Sequence, residues 1–246
     1  MSDTIGHRYL LGMLTPSSNT VLEPVTAAML ANLPDTTAHF GRFRVTEISQ
    51  ARVRAGQFDQ EPMLAAAELL ADARVQTICW NGTSAGWLGF DADQRLCDAI
   101  TARTGVQACS AVLALNEIFR LTGVRRFGLV TPYLDEIQEP IIANYAAAGF
   151  TCVAERHLGD RGNYSFSEYS ESLLAQMCRD VAAAGPDAIT IFCTNLRGAP
   201  IVAELEKELG VPIYDTVATA VWAAMRQAGT APARITSWGR LFREVA

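Results

Sequence analysis

A chain of 246 residues with a formal net charge of −6 is unsuited to nucleic acid or an anionic membrane, both of which call for a basic excess or patch. Hydrophobic residues make up 50% of it and charged residues 19%, which allows a sizeable core and excludes a disordered chain. No apolar run approaches the roughly 18 residues of a membrane-spanning helix, and Met1-Ser2-Asp3-Thr4 opens no signal peptide, so a cytoplasmic protein is expected.

In chain order, short apolar runs alternate with longer amphipathic ones. The spacing predicts strands over Tyr9–Leu14, Ala38–Val45, Val75–Trp80 and Val106–Cys109. Helices are predicted after them over Thr20–Ala31, Pro62–Ala73, Ala92–Thr104 and Ala111–Thr122. The second half predicts strands over Arg126–Val130, Thr151–Arg156, Ala188–Phe192 and Pro212–Tyr214. Its helices are expected over Ile137–Ala148, Phe166–Ala183, Pro200–Leu209 and Val217–Ala228. Gly149 and Gly210 follow helices where a left-handed terminal residue is wanted. The alternation predicts an α/β fold with mainly parallel sheets and right-handed crossovers.

The two halves also resemble each other. Residues 11–24 read LGMLTPSSNTVLEP and residues 127–140 read FGLVTPYLDEIQEP, with Gly12, Thr15, Pro16, Glu23 and Pro24 repeated at Gly128, Thr131, Pro132, Glu139 and Pro140. Each copy is a strand, a T-P turn and a helix start. Further on, one half ends a strand at Gly82-Thr83-Ser84 and the other at Cys193-Thr194-Asn195. Gly105-Val106 and Gly210-Val211 form a third pair in the same order. Three ordered pairs predict a duplication. They predict two similar lobes, each a parallel four-stranded sheet flanked by helices, related by a pseudo-twofold axis. Residues 1–111 with 218–246 are expected to form the first lobe and residues 112–217 the second. Ligands in such sheets bind at the carboxyl ends of strands, so one cleft between the lobes is the expected site.

Six cysteines are present and none forms a C-x-x-C pair; three histidines show no zinc spacing. With no G-x-G-x-x-G or phosphate-binding loop either, no metal, nucleotide or other cofactor is expected. Cys97, Cys109, Cys152 and Cys178 lie inside expected helices or strands and are assigned to packing. Trp80 and Trp87 bracket the G-T-S loop, with core packing the blander reading of both.

The T-P-S-S-N turn, the paired strand ends and the repeat resemble the aspartate/glutamate racemase superfamily, over nearly the whole chain from Gly12 to Phe242. Within it the chain is most similar to the arylmalonate decarboxylase and maleate cis-trans isomerase branch. That resemblance implies a cofactor-independent enzyme whose partner is a small carboxylate substrate. It leaves a homo-oligomer open. The family usually sets two cysteines across the cleft. Cys193 matches the second, while Gly82 stands where the first would be, as in the family's decarboxylase. By the same resemblance Thr83, Ser84 and Tyr133 bind a carboxylate and stabilise an enediolate. Pro16 and Thr194 belong to the matching turn and strand end. Asn19, Tyr133 and Asn163 match residues that the isomerase uses.

The resemblance therefore implies a lyase that decarboxylates a malonate-type diacid, with Cys193 as the only proton donor. A thiol with a pKa of about 8 is a suitable donor, and Cys193 lies between a strand end and an expected helix start whose dipole can tune it. The alternative is a maleate-type or amino-acid racemase-type isomerase. A carboxylate-binding protein without activity is a further reading, set against the joint presence of Cys193, Thr83, Ser84 and Tyr133. The stretch Gly82–Gly89 also resembles proteins of ectoine-utilisation gene sets, whose ligand would be a small amino-acid derivative. Cys79 lies an odd number of residues before Gly82, on the opposite strand face, and is not expected to replace the missing thiol. Glycine at 82 is expected to leave room for a cysteine. Asn19 can equally be a helix cap, and Asn163 a turn residue.

Overall fold

The computed structural model describes residues 6–49, 51 and 59–245. The first half contains β1 (Tyr9–Pro16), α1 (Leu22–Leu30), β2 (Thr36–Phe43), α2 (Gln60–Asp72) and β3 (Thr77–Trp80). It continues through α3 (Ala85–Leu88), α4 (Phe90–Thr104), β4 (Ala108–Ser110) and α5 (Ala111–Thr122). The second half contains β5 (Arg126–Thr131), α6 (Asp135–Ala147), β6 (Thr151–His157), α7 (Glu171–Ala182) and β7 (Ala188–Ile191). It ends with α8 (Val202–Leu209), β8 (Ile213–Asp215), α9 (Thr216–Gln227) and α10 (Arg240–Glu244).

These strands form two four-stranded parallel sheets, ordered β2-β1-β3-β4 and β6-β5-β7-β8. The order is the same in both, as a duplicated unit requires. The inner strands β3 and β7 are buried along their whole length. Helices cover both faces of a parallel sheet, so these strands read as unbroken apolar runs rather than alternating ones. The repeated strand glycines mark tight packing. A Cβ at Gly12 would lie 2.9 Å from the Thr77 carbonyl oxygen, and one at Gly128 would lie 2.9 Å from Val181 Cγ2. Gly105 and Gly210 close α4 and α8 with φ of 73° and 71°, the left-handed ending that the repeat implied.

Helix α9 ties the halves together. It follows β8 of the second sheet and packs on α5, β3 and β4 of the first half. The Thr219 hydroxyl donates to the Ala111 carbonyl at 2.9 Å, and α10 is pinned by the Trp222 indole N–H, which donates to the Val245 carbonyl at 2.9 Å. Among the described residues, no helix is long and apolar enough to cross a membrane.

Three local expectations are corrected. The helix predicted over Phe166–Ala183 is broken: a 3-10 turn spans Ser165–Glu168, Tyr169 is extended, and α7 starts afresh at Glu171. The restart has a local cause, since Ser170 Oγ accepts the Leu173 N–H at 3.2 Å. Helix α1 begins at Leu22 rather than Thr20, for reasons given below. The short helices α3 and α10 fall where no helix is predicted from the sequence.

Asp215 supplies a pH test of the fold. It caps α9, accepting the Val217 N–H at 2.8 Å and the Ala218 N–H at 3.4 Å through Oδ1, while the buried Oδ2 makes no well-formed hydrogen bond and the Ala199 N–H also draws on the carboxyl. Burial raises its carboxyl from 3.8 to about 7, against the opposing pull of those N–H groups. The folded chain thus holds a proton that the unfolded chain releases near 3.8. This contribution to stability is complete below about pH 4 and is lost as pH rises through about 7, at ~1.4 kcal/mol per pH unit. Asp215→Asn is expected to remove that component. Urea unfolding at pH 5 and pH 7 should show the wild type losing stability relative to the variant; parallel pH profiles would refute it.

Candidate active site

The site is built at the carboxyl ends of β1, β3, β5 and β7. Beyond β1, the T-P-S-S-N turn is held rigidly. Arg42 donates to the carbonyls of Ser17 at 2.9 Å and Asn19 at 3.1 Å. Asn19 is a cap and a joint. Its Oδ1 accepts the N–H groups of Val21 at 3.0 Å and Leu22 at 2.9 Å, and its Nδ2 donates to Thr194 Oγ1 at 3.1 Å. Asn195 Oδ1 accepts the Thr20 N–H at 2.9 Å from the other lobe. These two asparagines take up the N–H groups at the start of α1, which is why the helix begins late.

Thr194 completes the joint by donating to the Asn81 carbonyl at 3.0 Å. Asn195 Nδ2 donates to the Asn163 carbonyl, and Asn163 Nδ2 donates to Ser18 Oγ at 2.8 Å. Asn163 and Thr194 line the cavity between the lobes together with Pro16, Gly82, Thr83, Ser84, Tyr133 and Cys193. Asn19 is not among the residues facing it; its side chain is spent on the cap and on Thr194.

Inside the cavity, Tyr133 Oη and Thr83 Oγ1 are 2.6 Å apart, one from each lobe. Among the described residues Ser84 Oγ has no hydrogen-bond partner, and it lines the cavity. Cys193 is buried. Its sulfur accepts the Asn195 N–H at 3.4 Å. Burial raises the thiol to about 12, opposed by Tyr133 and by the N–H groups of Asn195 and Leu196. The expectation of a pKa of about 8 is therefore corrected. The expected helix start lies well downstream, with a 3-10 turn at Ala199–Ile201 and α8 after it, so it is turn N–H groups that face the sulfur. Tyr133 is also pushed well above its usual value, by burial first and by Cys193 second.

The remaining walls are apolar. Trp80 and Trp87 stand on one side, so both tryptophans face the cavity as well as the core. Val45 and Ile48 form the roof. Ser17 and Ser18 hold that roof by donating to the Val45 carbonyl at 3.2 Å and 2.7 Å. Among the described residues no Lys, Arg or His lines the cavity, and no cluster of His, Cys, Asp or Glu is placed to hold a metal. The cavity is partly open to solvent, and the free space inside it is about 20 Å³, enough for about one water.

Gly82 needs a second correction. It does not leave room for a larger residue, because a Cβ there would fall 1.9 Å from Trp80 Cζ2 and 2.4 Å from Cε2 and Cη2. The indole already fills the space. Cys79 packs away from the cavity, its thiol 3.7 Å from the Ala220 carbonyl of α9. Asn195 is a functional position that the sequence reading passed over, although it stood in the C-T-N strand end; it both clamps the lobes and directs an N–H at Cys193.

Two like-ordered α/β lobes enclosing one thiol, three hydroxyls and a phenol have the build of a two-lobed enzyme. The chain belongs to the arylmalonate decarboxylase family, whose model matches residues 12–242. It is 26% identical to an arylmalonate decarboxylase from Bordetella bronchiseptica over 237 residues, covering 95% of this chain and 96% of that one. It is also 26% identical to a maleate isomerase from Nocardia farcinica over 243 residues, covering 95% of both. The Nocardia farcinica maleate cis-trans isomerase bound to TRIS superposes with a TM-score of 0.87 at 24% identity, over 96% of this chain and 98% of that one. A glycine-to-cysteine mutant of arylmalonate decarboxylase gives 0.78 at 26% identity, over 96% and 100%.

Proposed function

We propose that the chain decarboxylates a malonate-type diacid, with Cys193 as the single proton donor. The observation that carries this reading is one buried thiol lining the same cavity as a glycine, with no second thiol there among the described residues. A thiol raised to about 12 is an acid held in reserve at neutral pH, not a nucleophilic thiolate.

One carboxylate binds Thr83, Ser84 and Tyr133, which are neutral donors. The other faces Val45, Ile48 and the two indoles, where its charge is poorly solvated. Loss of carbon dioxide breaks the bond from the α-carbon to that carboxyl carbon. Its electron pair stays on the α-carbon and spreads onto the retained carboxylate as an enediolate. The Cys193 S–H proton then passes to the α-carbon. The thiolate left behind is held by the N–H groups of Asn195 and Leu196 and takes a proton back from solvent. A proton from one face gives one enantiomer of product.

The relatives equally support a cis-alkene diacid isomerase, and four maleate isomerases are among them. That chemistry calls for a first-lobe thiolate, which Gly82 lacks. The test is incubation with 2-methyl-2-phenylmalonate in deuterium oxide, and separately with maleate. The expected outcome is carbon dioxide and one enantiomer of a singly deuterated acid. Conversion of maleate to fumarate with no malonate consumed would replace this reading by the isomerase.

A further inference from the structure

The free space inside the candidate cavity, about 20 Å³, is less than a diacid fills, so its walls or its open side must give when substrate enters. Trp80 separates it from a second cavity of about 170 Å³, which lies between the starts of α2 and α4; Trp80 and Ser84 line both. The rest of its wall includes Met63, Leu88, Ala92, Asp93 and the cationic Arg95. Asp93 is 2% exposed, and its Oδ2 has no hydrogen-bond partner. The Trp80 indole nitrogen is likewise buried and unpartnered. Burial raises the Asp93 carboxyl to about 7, with Ser110 and Trp80 opposing it. One indole thus stands between Gly82, whose side-chain space it fills, and a carboxyl whose Oδ2 has no well-formed hydrogen bond. Trp80 and Ser110 are the polar neighbours of this carboxyl, and neither makes a well-formed hydrogen bond with Oδ2, which leaves room for a better-placed donor. When the indole swings aside it gives up no well-formed hydrogen bond, only the approach of its N–H to Asp93, and a single side-chain movement joins the two spaces.

We propose that Trp80 is a movable partition, and that the joined cavity takes a substrate substituent ending in a hydrogen-bond donor, which Asp93 receives. The inference rests on the decarboxylase reading only for the reacting half of the molecule. The substrate class is then an α-substituted diacid with a chain of several atoms capped by a hydroxyl or N–H group, rather than a purely hydrocarbon one.

The test compares malonates carrying a 4-hydroxybutyl or a pentyl group, which have the same shape. Their decarboxylation products, 6-hydroxyhexanoate and heptanoate, are compared by calorimetry. Wild type is expected to favour the hydroxylated member of each pair by about tenfold. Asp93→Leu should erase that preference while still accepting the pentyl compound. Ala92→Phe, at the cavity wall, should weaken both long substituents and leave methylmalonate turnover unchanged. Equal handling of the pairs by wild type and Asp93→Leu, or long substituents unaffected by Ala92→Phe, overturns the proposal. If no malonate is consumed but the hydroxylated acid binds preferentially and loses that preference in Asp93→Leu, the subsite stands and the decarboxylase reading falls. Turnover without a preference has the opposite meaning.

Discussion

Replacing Cys193 by serine is expected to reduce turnover of a malonate-type substrate about a thousandfold, with substrate affinity changed little. The hydroxyl is far too weak an acid to do the thiol's work, while its smaller atom disturbs neither the turn nor Thr194 and Asn195 beside it. Binding falls to Thr83, Ser84 and Tyr133, which the substitution leaves alone. Initial rates should collapse while calorimetry returns a similar dissociation constant, and the rate of deuterium delivery to the α-carbon should fall with turnover. A variant within a fewfold of wild type would make Cys193 a packing residue and end the single-thiol mechanism.

Gly82→Cys is expected to behave differently from what the pairing of Gly82 with Cys193 alone implies. The new side chain meets the Trp80 indole at bonding distance, so the core must shift. Overpacking of this kind costs about 1–3 kcal/mol, and a chain of this size loses about 2–4 °C in Tm for each kcal/mol. The single variant should melt lower and exchange the α-proton of the product poorly. Gly82→Cys with Trp80→Val should recover much of the melting temperature and gain exchange with both enantiomers, because a thiol then stands on each face of the planar intermediate. Wild type should exchange only one. Rapid racemisation by wild type would reveal a second acid or base. A fully stable, active single variant would show that the indole yields easily.

Much of the architecture was legible because the chain says it twice. The T-P turns at Pro16 and Pro132, the strand ends at Gly82 and Cys193 and the helix stops at Gly105 and Gly210 fall in one order, and the two sheets share one strand order. What escaped depends on through-space neighbours. Phe166, Tyr169 and Leu173 have helical spacing, and only the extended Tyr169 with Ser170 as a new cap breaks the run. The acidity of Cys193 is set by burial and by Tyr133, sixty residues earlier in the chain. The room beside Gly82 was judged from glycine's size, but a tryptophan two residues back occupies it. Asn19 read equally well as ligand or cap, and its bonds to Val21, Leu22 and Thr194 account for its side chain.

The turn Cys193-Thr194-Asn195 carries the thiol and the bolts of the joint on three successive residues. Thr194 holds Asn81 and Asn19 of the opposite lobe, and Asn195 holds Thr20. Any rocking of one lobe against the other therefore carries the sulfur with it. On the single-thiol reading, lobe closure and the distance from proton to α-carbon are one mechanical coordinate, so loosening the hinge would also misaim the acid.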